Sequence, residues 1–170
     1  MPLAVKYWGE AFFIQACSDL KAMDVLVSAG GLPDCHRFHY LQMTSEKLAK
    51  AILFSNIATS DRLMFTHGGL VTALRSLKSN PRLRQAMGFK NPRQFGKYVD
   101  SLLDTAKWIE RLAPSAAGID NPNPEYPWIV GKTNEVLVPA QDFTPHGSVN
   151  SVHLVKVEAL LRSLIRHGIF

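Results

Sequence analysis

Between residues 38 and 53 the apolar side chains return at alternating steps of three and four, through Phe38, Leu41, Ser45, Leu48 and Ile52. An α-helix brings such positions onto one face, so this stretch must present a stripe to a core. A second stripe carries His39, Met43, Glu46 and Lys50, and Glu46 and Lys50 have the spacing and order of a favourable i,i+4 ion pair. The same period recurs along the chain. Residues 8–28 read as a first helix with Phe12, Ala16, Met23 and Val27 among its apolar positions, ended by Gly30-Gly31 in a left-handed cap. Asp34 opens the second helix, which runs to about Asn56. After a polar linker at 58–62, Thr66 caps a third helix that fades near Ser79-Asn80-Pro81, and Arg82 to Met87 form one extra turn.

Asn91-Pro92 starts a fourth helix, with proline at a first-turn position where its missing N–H costs little. Its stripe is Phe95, Val99, Leu102, Ala106, Ile109 and Ala113, and Pro114 ends it. Residues 115–147 are rich in Pro, Asn and Gly and read as a long loop, with one short strand pairing expected at Glu135–Val138. Ser148 or Asn150 caps a last helix that buries Leu154, Val157, Leu161 and Leu164. Antiparallel helices so joined make an all-α, up-and-down bundle of about five helices. The 170 residues fit a single domain over 1–170.

Charge is unevenly placed. The formal net charge is +5, which permits polyanion binding without requiring it. Between Asp61 and Asp100, however, Arg62, Arg75, Lys78, Arg82, Arg84, Lys90, Arg93 and Lys97 occur with no acid among them. Phe89, Phe95 and Tyr98 lie in the same segment, so cations are mixed with rings that can stack on bases. Solvated, solubilising charge is the plainer reading, and Phe95 belongs to the buried stripe. Cys17 and Cys35 are too far apart for a Cys-x-x-Cys motif and are expected as free thiols. The N-terminus lacks a basic region followed by an apolar run, and no segment approaches the roughly 20 apolar residues of a membrane span. A cytoplasmic protein with no membrane association is the expectation.

Gln42, the Glu46-Lys47 pair, Lys50-Ala51 and then Thr66-His67 follow one another in an order that resembles the HEPN family (higher-eukaryote and prokaryote nucleotide-binding domains). The resemblance covers the chain from about Trp8 onward and is strongest over 41–74. It implies a HEPN-like bundle with a long loop before the last helix, a homodimer, and no cofactor. It further implies an accessory domain that binds nucleotide or RNA, alongside a nucleotidyltransferase-type protein partner or within a defence or toxin–antitoxin system. Glu46, Lys50, His67, Arg75, Lys78, Arg82, Arg84, Lys90, Arg93 and Lys97 are then the candidate nucleotide- or RNA-binding residues. His67, at a helix start beside Gly68-Gly69, can meet a phosphate held by backbone N–H groups, or can bond into the bundle through Glu46 or Gln42.

Many HEPN members are metal-independent endoribonucleases with an arginine and a histidine near the start of the last helix. Such chemistry needs the histidine for the ribose hydroxyl proton and the arginine for the charge developing on the phosphate. The comparable pair here is Arg162 and His167, at the other end of that helix. Five residues apart, they point about 140° away from each other, and cations in a last turn also suit the helix dipole. Where the family often carries Arg-Tyr-Pro, this chain has Glu125-Tyr126-Pro127. The endoribonuclease and a protein-interaction scaffold without nucleic acid are the alternatives to the binding role. His36 and His39 are three apart, but no second cluster completes a metal site. Tyr126, Trp128 and Phe143 either seal the bundle end or offer a partner site. Trp8 and Phe13 give the first helix a second apolar face, suited to pairing.

Overall fold

The computed structural model describes residues 3–56, 69–113, 123–131, 133–145 and 150–170. Two long helices, α1 (Leu3–Ala29) and α2 (Asp34–Asn56), form an antiparallel hairpin. Gly30 and Gly31 turn the chain with φ of 67° and 71°, values that suit residues without a Cβ. Farther along, Phe12 stacks on Phe54 with ring centroids 5.6 Å apart. A Cβ on Gly9 would stand 2.8 Å from Ser55 Oγ, so glycine is what lets the two backbones approach there. The stripe expected on α2 is the buried one: Phe38, Leu41, Leu48 and Ile52 are at most 1 % exposed.

The third expected helix appears as α3 (Leu70–Leu77), and the extra turn as α4 (Pro81–Ala86). Asn80 caps α4 by accepting a hydrogen bond from Leu83 N at 2.9 Å. The expected start of α3 at Thr66 lies outside the described residues. The fourth helix is divided into α5 (Pro92–Ser101) and α6 (Leu103–Glu110), where a single helix was expected. Leu102 N bonds to Val99 O, three residues back, and Ala106 N resumes the ordinary spacing to Leu102 O. One tightened turn interrupts the rod without rotating its apolar stripe off the core. Phe95, Val99, Leu102, Ala106, Ile109 and Ala113 are all buried.

The segment expected as loop carries structure of its own. Strands β1 (Trp128–Val130) and β2 (Glu135–Leu137) pair antiparallel, with Ile129 opposite Val136. A single-turn helix, α7 (Pro139–Asp142), follows. Trp128 and Phe143 are each 6 % exposed, and Phe143 tilts against Phe38 at 5.7 Å. Two of the three loop aromatics therefore seal the bundle, while Tyr126 remains exposed.

Asn150 caps the last helix, α8 (Ser151–His167), by accepting from Val152 N and His153 N. Gly168, in the left-handed conformation, ends it, and Ile169 N bonds back to Leu164 O, the pattern of a Schellman turn. That turn directs Ile169 into the core and stacks Phe170 on Phe13 at 4.3 Å. The molecule is thus an all-α bundle with one small hairpin attached. Among the described residues no helix is long and apolar enough to cross a membrane.

Candidate functional site

Glu46 and Lys50 form the expected ion pair, Lys50 Nζ donating to Glu46 Oε1 at 2.8 Å. Both side chains are internal. Glu46 is 8 % and Lys50 5 % exposed, Gln42 Nε2 donates to Glu46 Oε2 at 3.0 Å, and Lys50 Nζ lies 5.3 Å from the Phe12 ring centre. A neighbouring seam joins Gln15 Nε2 and Lys47 Nζ to the two oxygens of Asp19. These polar groups serve each other between α1 and α2. Buried so, Glu46 and Lys50 hold helices together and do not present a surface to a polymer.

Glu110, which the sequence did not single out, accepts from Gly69 N at 2.8 Å and Val71 N at 3.0 Å with the same oxygen. The N–H groups at the start of α3 therefore already hold an anion, the protein's own carboxylate. That is where the sequence placed a phosphate. Thr66 and His67 themselves lie outside the described residues. Glu110 and Gly69 are 41 positions apart, and nothing local in either segment announces the pairing.

Arg162 and His167 do not converge. Arg162 forks onto Asp24 of α1, with Nη1 and Nη2 donating at 3.0 and 2.5 Å. The Arg162 hydrogen bonds, with their charge attraction, hold the Asp24 carboxyl below its ordinary value against the opposing effect of burial. The same bonding raises the Arg162 pKa. His167, exposed in the last turn of α8, instead lines an open cavity of about 360 Å³ with Arg82, Gln85, Ala86 and Ile169. The cation that shares a surface with His167 comes from the central basic segment.

That segment divides by use. Lys78 pairs with Asp100 at 2.8 Å. Arg84 Nη1 donates to the carbonyls of Phe89 and Lys90 and fastens the turn between α4 and α5. Phe89, Phe95 and Tyr98 pack on one another, and Tyr98 Oη donates to Lys156 O, so these rings belong to the bundle. Arg75, Arg82, Lys90, Arg93 and Lys97 are exposed, and among the described residues none of them enters an ion pair. Among the described residues no acid lines the cavity that Arg82 and His167 share.

His36 is exposed and His39 half-buried, with His39 Nδ1 3.6 Å from Glu125 Oε2. The acid that stands in the Glu-Tyr-Pro sequence thus faces α2. Asn123, fully buried, donates to Leu112 O and accepts from Glu125 N and Tyr126 N, which fixes this turn. Cys17 and Cys35 are free, and burial raises both thiols above their ordinary value. Among the described residues no cluster of three His, Cys, Asp or Glu side chains could hold a metal ion. Comparison with protein-family models, with curated proteins and with solved structures finds no match in any of the three.

Proposed function

We propose that this protein is a HEPN-like accessory domain that binds single-stranded RNA through the basic side of α3, α4 and α5 and the end of α8. The observation that carries the reading is that Arg82 and His167 line one open cavity that has no acid among its described lining residues. Arg75, Lys90, Arg93 and Lys97, all exposed, extend the charge along the same run of short helices. Arginine and lysine side chains there gain phosphates and release counterions, whereas Lys78 and Arg84 are held by other groups. Rings of the segment are packed, so backbone charge rather than base stacking supplies the affinity. A nucleotidyltransferase-type partner and a defence or toxin–antitoxin setting follow from the HEPN resemblance alone.

The test is fluorescence anisotropy with a labelled single-stranded RNA across a salt series. Each neutralised phosphate contributes a slope of about 0.7 on a double-logarithmic plot. Five exposed cations acting together give about 3.5, or about a hundredfold loss of affinity between 50 and 200 mM salt. Arg82→Ala combined with Lys90→Ala should weaken binding and lower the slope by about 1.4. A slope unchanged by the double variant would place the contact elsewhere, and no binding at low salt would favour the interaction scaffold.

The endoribonuclease reading is met in the same samples. An Arg/His active site now rests on Arg82 with His167, since Arg162 is committed to Asp24. Binding without cleavage is expected in chelator. A 2′,3′-cyclic phosphate product that disappears in both Arg82→Ala and His167→Ala would make the cavity an active site.

A further inference from the structure

A second cavity, of about 300 Å³, opens where α1 ends and α2 begins, against the side of α8. That volume lies at the lower end of small-molecule pockets, equal to roughly ten waters of liquid. One wall is apolar, made by Met23, Leu26, Val27 and Leu32. The rest of the lining is charged with both signs: Arg37 of α2 pairs with Glu158 of α8, and Asp34 and Arg162 line the same space. Glu158 is mostly buried, its side chain 14 % exposed. Arg37 uses one of its five N–H donors on Glu158 and is 32 % exposed.

The helix ends add to this lining. α2 is 23 residues long and turns its start to the cavity through Asp34, His36 and Arg37; the Asp34 carboxylate offsets the positive end of its dipole and adds a second acid to Glu158. α1 brings its last turn through Leu26, Val27 and Gly30, and that turn contains no basic side chain to neutralise the carbonyl end. A purely anionic guest would meet Glu158 and Asp34, and a purely cationic one Arg37 and Arg162, each of its own sign. A molecule with both charged groups on one carbon, and an apolar substituent there as well, meets an arginine, an acid and the apolar lining at once.

We infer that this cavity binds a free α-amino acid with an apolar side chain. Its carboxylate meets Arg37, its ammonium meets Glu158 and the last carbonyls of α1, and its side chain lies on Met23, Leu26, Val27 and Leu32. The guest would insert into the Arg37–Glu158 pair, trading one ion pair for two.

Isothermal titration calorimetry on the full chain with L-leucine and L-phenylalanine tests this. Binding of at least one of them with a Kd below about 1 mM is expected. L-Leucinamide, which lacks the carboxylate, and N-acetyl-L-leucine, which lacks the ammonium, should each bind at least about tenfold more weakly, because a buried polar partner is left unpaired. Val27 lines the cavity, is 55 % exposed and belongs to neither ion pair, so Val27→Trp can fill the space from the solvent side. It should abolish binding while leaving the circular dichroism melt and RNA anisotropy unchanged. Glu158→Gln should weaken the free amino acid and bring its affinity to that of the N-acetyl derivative. Absence of binding by both amino acids, binding of either derivative as tight as that of L-leucine, or binding that survives Val27→Trp would each overturn the inference.

Discussion

Asp24 and Arg162 make the clearest electrostatic statement at the level of single residues. The folded-state pKa of Asp24 lies below its ordinary value of 3.8, chiefly through the Arg162 hydrogen bonds. A depressed carboxyl stabilises the fold above its unfolded pKa, and that contribution is lost as pH falls through the folded value. With the side chains 37 % and 48 % exposed, solvent screening keeps it under about 1 kcal/mol. An NMR titration of the Asp24 carboxyl should give a midpoint below 3.8 that returns toward it in Arg162→Ala. An unmoved midpoint in that variant would show that the bond contributes nothing to the shift.

At the scale of elements, α3 and α6 are joined by the Glu110 carboxylate. Glu110→Ala would leave Gly69 N and Val71 N without their acceptor, at a cost of about 2 kcal/mol, read as a lower urea midpoint with an unchanged m-value. A loss below about 0.5 kcal/mol would mean that solvent replaces the carboxylate. This joint also marks the limit of what the sequence revealed. The stripes of α2, α5–α6 and α8, the helix start at Asn91-Pro92 and, as one of two candidates, the cap at Asn150 were legible because period and capping chemistry are local; the Asn80 cap was not singled out. The break at Leu102 was not, since a tightened turn leaves the apolar period intact. Trp128–Val130 gave no strand signal separate from its proline-rich surroundings. The buried state of Glu46 and Lys50 was hidden for a related reason: a charged pair at i,i+4 reads as surface until the partner helix is known. Arg162 with Asp24, 138 positions apart, and Arg82 with His167 are products of the assembled bundle.

Over the whole molecule, exposed apolar side chains gather on α1. Tyr7 (63 %), Ile14 (62 %) and Val25 (68 %) lie seven and eleven residues apart, on one stripe, with Trp8 (44 %) beside it. Phe13, expected on that face, is instead covered by Phe170. Light scattering should report a homodimer at micromolar protein, and Ile14→Lys should convert it to monomer. A monomeric wild-type chain would remove this proposal and leave RNA binding to a single copy.

The four-residue connection between α1 and α2 has a kinetic meaning as well. Lys47 and Asp19 meet across 28 positions, whereas Arg162 and Asp24 enclose 138, a difference of about 1.4 kcal/mol in loop-closure entropy. The hairpin can therefore form while the rest of the chain is still searching, and it offers α8 a finished surface on which to dock. Destabilising replacements at Phe54 should slow refolding, while those at Val157 should mainly hasten unfolding; the reverse pattern would assign the nucleus to α8.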